Sequence, residues 1–274
     1  MPTRPGLLEF IERYFAAAPL PDAEIRAVGG LDVPVSDPAW PYPARPRVDG
    51  DQVSADDVRA AVELQERVGL PAALEWVPER APAIAAAARA AGLTVEELPL
   101  LVAVDTVELL LPAGVRLYVV GADDPELPRY QQVAATAFAT PGGPADVGDV
   151  PVDTSAEALA RTAVLRERID TGRTVMMVAV ERGAPVAVGS HQPVDIDGSR
   201  VSEVVGVATH PRLRGRGLGA GMASALVAHA SETADLVFLA AGDDDVARVY
   251  ERVGFARLAT TAVAEAPERA QASS

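Results

Sequence analysis

An apolar strand that runs into three glycines spaced two apart, and from there into a helix, leaves this chain few folds to choose from. The segment is Val204-Val205-Gly206-Val207-Ala208-Thr209-His210-Pro211-Arg212-Leu213-Arg214-Gly215-Arg216-Gly217-Leu218-Gly219-Ala220. Strand, glycine loop and helix in that order point successive backbone N–H groups into one concavity at a helix N-terminus, where the helix dipole favours an anion. Glycine serves there because the backbone itself must come close to the ligand with no Cβ in the way. Arg212, Arg214 and Arg216 add positive charge around it.

Several anion loops share this outline, and the sequence separates them. A phosphate loop of the Gly-x-x-x-x-Gly-Lys-Ser/Thr kind requires lysine, which this chain lacks entirely. A dinucleotide fingerprint requires Gly-x-Gly-x-x-Gly after a first strand, whereas the order here is Gly215-x-Gly217-x-Gly219. It also follows three strand-like stretches, 174–180, 185–194 and 201–209, parted by the turn pairs Arg182-Gly183 and Asp197-Gly198. Those pairs predict an antiparallel meander.

Around the meander, 125–138 and 155–169 read as helices, with Thr154-Ser155 as an N-cap. Residues 141–152 between them are rich in Gly and Pro and predict an irregular loop. Downstream of the glycines come a helix to about Ala230, an apolar strand at 236–240, a helix at 244–253 stopped by Gly254, and a last strand near 257–263. The alternation predicts an α/β fold with a mixed sheet. A tail from Ala264 to Ser274 is expected to be disordered.

The first half echoes the second. Aligning Ala72 with Ala234, an offset of 162, sets Leu74 on Leu236, Trp76 on Phe238, Ala85 on Ala247 and Gly92 on Gly254 without a gap. At 274 residues the chain is long enough for two lobes.

Composition narrows the function classes. Cysteine is absent, which removes disulfides, thiolate metal sites and a cysteine acyl-enzyme together. The net charge of −15 argues against nucleic acid, since phosphate backbones reward clustered positive charge. No apolar run approaches the roughly 20 residues needed to span a bilayer. The first ten residues lack the basic-then-apolar order of a signal peptide, so the expectation is a cytoplasmic protein off the membrane.

On these residues, 115–262 resembles the GNAT superfamily of acyl-CoA-dependent N-acyltransferases. That family's signature, Arg/Gln-x-x-Gly-x-Gly/Ala, is met by Arg212-x-x-Gly215-x-Gly217 and again by Arg214-x-x-Gly217-x-Gly219, leaving two registers open. Its second signature, a strand and then a helix ending in Tyr, three residues and Gly-Phe, is met by 236–240 followed by Tyr250 and Gly254-Phe255. The resemblance implies acetyl-CoA as acyl donor, no metal, and a primary amine as a still unidentified acceptor. It implies that Arg212, Arg214, Gly215, Arg216, Gly217, Leu218, Gly219 and Ala220 surround the pyrophosphate. Val207, Ala208 and Thr209 would pair with the pantetheine arm like an added strand, and the strand 236–240 would splay from 201–209 to leave a slot. Asp244 stands where the family often has a coenzyme-contacting asparagine.

Acetyl transfer to an amine needs the amine deprotonated, the thioester oxygen stabilised and the leaving thiolate protonated. Tyr250 sits where the family commonly has its general acid; an amphipathic tyrosine packed at a core edge is the other reading. Glu203, a carboxylate on an otherwise apolar strand, is the candidate base, with a solvent-facing residue as its alternative. His191 and His210 are imidazole alternatives, and His229 reads as a surface residue.

The resemblance makes the catalytic lobe 114–263 and the first lobe, 1–113, a degenerate copy. At the offset of 162, Gly215, Gly217 and Gly219 become Val53, Ala55 and Asp57, and Tyr250 becomes Ala88. Asp56-Asp57 would repel a pyrophosphate there. The segment Trp40–Pro46 is either a rigid connector or the lining of a cleft. Two other functions stay open: a mycothiol-synthase-like tandem acetyltransferase, and a non-catalytic acyl-CoA-binding module that recognises a protein. The oligomeric state is open too, a homodimer being one option.

Overall fold

The computed structural model describes residues 4–48, 50, 52–148 and 151–267. The chain divides into two compact units, Met1–Leu100 with Leu258–Ser274, and Leu101–Arg257.

The first unit contains α1 (Arg4–Ala17), β1 (Ala23–Val28), β2 (Leu31–Ser36), β3 (Arg45–Pro46), α2 (Ala55–Arg67), β4 (Ala73–Trp76), α3 (Ile84–Ala90) and the start of β5 (Thr94–Ala103). β1 and β2 form a hairpin around Gly29-Gly30, and β3 extends it by pairing Leu31 with Pro46 and Asp32 with Arg45. Ser54 starts α2 with a capping box: the Ser54 hydroxyl accepts from the Asp57 amide while the Asp57 carboxylate accepts from the Ser54 N–H. The amphipathic α2 lays Val58, Ala61 and Leu64 on Leu31, Val33, Leu74 and Trp76 to make this unit's core.

The second unit takes up the end of β5 and continues with β6 (Val115–Val119), α4 (Leu127–Phe138), α5 (Ala156–Asp170), β7 (Val175–Glu181), β8 (Ala184–Ile196), β9 (Ser199–Thr209), α6 (Leu218–Ser231), β10 (Leu236–Ala240), α7 (Asp244–Glu251) and the first three residues of β11 (Phe255–Glu265), whose remainder belongs to the first unit. Its sheet runs β5-β10-β9-β8-β7-β6. β7, β8 and β9 are the antiparallel meander read from the sequence. Both turn pairs have positive φ at both residues, 52° and 81° at Arg182-Gly183 and 50° and 84° at Asp197-Gly198, as two-residue hairpins require. α6 and α4 both pack on β8 and β9. Met177 and Ala179 join the α6 core, and the alternate residues Met176 and Val178 are buried as well, so both faces of β7 are covered.

The internal echo recurs element by element. β4, α3 and β5 stand 162 residues ahead of β10, α7 and β11 to within three residues at each end, and Gly92 and Gly254 close the two helices with φ of 92° and 100°. The closing strands are exchanged, however. In the first unit, β4 pairs not with its own successor but with the end of β11, setting Trp76 against Ala262 and Leu74 against Ala264. In the second, β10 neighbours β5. One expectation is corrected here: Ala264 and Glu265 are not tail but the end of β11, with Ala264 fully buried because it faces Leu74. The rest of that expectation, from residue 268 on, lies outside the described residues.

Candidate active site

β9 changes its pairing partway along its length. Gly206, with φ of 64°, sits at a bulge opposite Val188–Ser190. Before the bulge, Ser202 and Val204 face α6, which by alternation turns Glu203 to the opposite face. After it, Val207 packs on the α6 core, one residue out of step, as a bulge demands. Parallel pairing between β9 and β10 covers Leu236↔Val201, Val237↔Ser202 and Phe238↔Glu203 and ends there, although both strands continue. The predicted splay is therefore present, and Glu203 stands at its apex. Val207, Ala208 and Thr209 lie on the stretch of β9 that β10 leaves unpaired.

The chain then turns through a short 3-10 stretch, Pro211–Leu213, into the glycine loop. Gly215 and Gly217 have φ of 78° and 81°, and Gly217 opens α6 with no side-chain cap. The first amides of the helix thus have no intrahelical or capping acceptor. Gly219 is already helical, its Cα side lying against the Thr209 hydroxyl. Left-handed backbone is needed at 215 and 217 and not at 219, which matches the register Arg212-x-x-Gly215-x-Gly217. Leu218, buried in the core with Met222 and Leu226, fixes where the helix begins, and Ala220 packs beside them.

The arginines do not converge as the sequence suggested. Arg212 pairs with Asp146 at 2.8 Å, and Arg216 makes a two-bond pair with Glu181 at 2.7 and 3.0 Å, which holds that carboxyl below its usual range. Arg214 donates to the carbonyl oxygens of Ala137, Thr140, Gly142 and Gly143. Its role is to fasten the irregular 140–148 loop beside the glycine loop, a contact that the Ala145 N–H to Pro211 carbonyl bond reinforces. Guanidiniums with five donors suit such carbonyl clusters.

Tyr250 lies on α7, part-buried at the edge of the same core, its ring edge-on to Phe255 at 5.8 Å. Burial pushes its hydroxyl up to about 12, so it keeps its proton at neutral pH. Asp244, at the start of α7, is ion-paired to Arg257 at 2.5 Å, while the cap of that helix is Asp243, which accepts from the Val246 amide.

Three features escaped the sequence reading. His191 is buried between Ser202 Oγ at 2.8 Å and His229 Nδ1 at 3.0 Å, and burial together with the neighbouring His229 lowers it to about 4. His229 is accordingly a partner in a buried chain and not the surface residue expected. The Gly206 bulge was signalled by a glycine inside an apolar strand. The third is the connection after β5: Val104 and Asp105 donate to the Gly254 carbonyl, and Ser224 on α6 bonds Val107 and Leu109. Nothing in the pattern of 104–111 announces it.

Residues 149–255 match the acetyltransferase (GNAT) family, and that stretch is a GNAT acetyltransferase domain. The fold of nearly the whole chain is similar to a GCN5-related N-acetyltransferase from Kribbella flavida, with a TM-score of 0.68 and 24% identity over 95% of this chain and 96% of that one. A putative GNAT acetyltransferase from Novosphingobium aromaticivorans follows at 0.56 and 17%, covering 93% and 94%. A tandem GNAT protein from the clavulanic acid biosynthesis pathway has a TM-score of 0.52 at 21% identity, covering 89% and 81%. These likenesses establish the fold as a GNAT lobe joined to a GNAT-like first lobe. No curated protein matches the sequence. Among the described residues, no helix is long and apolar enough to cross a membrane.

Proposed function

We propose that the lobe 114–263 binds acetyl-CoA between β9 and β10 and passes the acetyl group to a primary amine, and that 1–113 is a lobe which has lost this activity. The observation that carries the reading is the end of β9–β10 pairing at Glu203/Phe238, directly ahead of the uncapped N-terminus of α6. Open amides on β9 suit the pantetheine amides, and the helix N-terminus suits the pyrophosphate.

The amine attacks the thioester carbon directly, since the chain has no cysteine to hold the acyl group. Its surplus proton passes through water to Glu203; the tetrahedral intermediate expels the thiolate, which is protonated from Tyr250. In the first lobe the Asp57 carboxylate already occupies the N-terminus of α2, with Ser54 and Gly30 amides holding it below its usual range, which leaves no place there for a second anion. Calorimetric titration should give micromolar acetyl-CoA binding to the native protein and none to Gly217→Glu, because a side chain at φ of 81° is strained and the added carboxylate faces the pyrophosphate. Equal binding by both would end the assignment.

A further inference from the structure

Among the described residues, every hydrogen bond and ion pair that ties 141–148 to another element ends on 211–214. Arg214 reaches furthest. Its Nη2 donates to the Ala137 carbonyl at 2.7 Å, and its Nη1 to those of Thr140, Gly142 and Gly143 at 2.5, 2.8 and 3.3 Å. Ala145 donates its N–H to the Pro211 carbonyl at 3.2 Å, and Asp146 pairs with Arg212 at 2.8 Å. Between these ties, Pro144 Cγ lies 3.9 Å from where a Cβ on Gly215 would stand.

The last carbonyls of a helix have no intrahelical donor, and that end of its dipole is negative. α4 ends at Phe138, so Arg214 caps it from a distant part of the chain. The next residues, 141–144, are exposed and consist of two prolines and two glycines, so their own side chains do not fix their path. The glycine loop has the same weakness, because Gly215 and Gly217 hold a positive φ that glycine is free to leave. Two segments without a path of their own thus hold each other. Exposed ion pairs such as Asp146–Arg212 contribute little, which makes the half-buried Arg214 the principal tie.

We infer that Arg214 is a positioning residue that joins the glycine loop and the segment 137–148 into one two-state element, so that acetyl-CoA bound by the loop also orders 137–148. This coupling rests on the reading of the loop as the coenzyme site and goes beyond it, since 137–148 lies outside the loop. A ligand shifts such an element by preferring one of its states. The preferred state here is the one with Gly215 and Gly217 left-handed and Arg214 on its carbonyls. By linkage, whatever loosens 137–148 weakens the coenzyme by the same factor.

Hydrogen exchange followed by mass spectrometry tests this without an acceptor. In the native protein, saturating acetyl-CoA should slow exchange across 137–146 by at least about fivefold. Arg214→Lys keeps the charge but loses the planar fork. Without ligand it should exchange 137–146 faster than the native protein, and it should bind acetyl-CoA about tenfold more weakly. When saturated, it should show no slowing of 137–146. Peptides from 127–136 report in the same run that α4 is intact. Asp146→Asn, at an exposed position, should keep the slowing; its loss there would move the tie to Arg212 and overturn the assignment. Native affinity and native slowing in Arg214→Lys would make Arg214 a simple charge and overturn it too. Acetyl-CoA binding without slowing of 137–146 in the native protein would overturn the coupling alone, whereas no binding at all would overturn the transferase reading with it.

Discussion

Burial pushes the Tyr250 hydroxyl up to about 12, and the proposed acid role needs the protonated form that it has at neutral pH. Tyr250→Phe preserves the ring and removes the proton; turnover should fall by roughly 10²-fold, with acetyl-CoA affinity within about twofold. Native turnover in steady-state assays would return the residue to packing alone. His191 gives the second prediction at this scale. Its folded value of about 4 lies below the ordinary 6.5, so between those values the unfolded chain binds the extra proton. Its contribution to stability is complete above pH 6.5 and is lost as pH falls toward 4, by about 3 kcal/mol in all. Urea midpoints measured from pH 7.5 to 4.5 should decline in the native protein and stay nearly level in His191→Gln. Both residues were visible in the sequence by type, but only one by role. Tyr250 is tied to Gly254-Phe255 by a fixed spacing along the chain, whereas the partners of His191 come from β9 and α6, 11 and 38 residues away.

Elements were the most legible level. The meander, α6, β10, α7 and β4 fall close to where turn pairs, glycine stops and apolar runs put them, because these signals are local: positive φ at Gly183 and Gly198, and the helix stop at Gly254. Those two glycine stops also allow a test of what the repeat conserves. A Cβ on Gly92 meets nothing within 4 Å, so Gly92→Ala should cost only the left-handed backbone strain, roughly 1–2 kcal/mol. On Gly254 it would run into the Asp105 carbonyl, so Gly254→Ala should cost more than roughly 3 kcal/mol, since backbone has to move. Equal urea midpoints for the two variants would show that the Asp105 contact is not rigid. The less legible elements were β3, two residues long, and the ends of β11, whose extent is set by pairing with β4 and not by its own residues.

At the scale of the whole molecule, the exchange of closing strands makes the end of β11 part of the first unit. Ala262 and Ala264 are fully buried in the core that holds Leu74 and Trp76. Ending the chain after Arg257 should therefore shift Trp76 emission to longer wavelength and lower the thermal midpoint; an unshifted spectrum in the shorter chain would refute the exchange. The sequence by itself determined the glycine loop, the meander before it, the Tyr250 and Gly-Phe spacing after it, and the offset of 162, all of which are patterns within a few tens of residues or a comparison of the chain with itself. Tertiary structure alone decided which side chains the loop arginines reach, that Glu203 stands where β9 and β10 part, and which β-strand closes which unit. Each of those is a contact between residues far apart in sequence. Loop-closure entropy and side-chain packing choose among many such contacts that local patterns leave equally open.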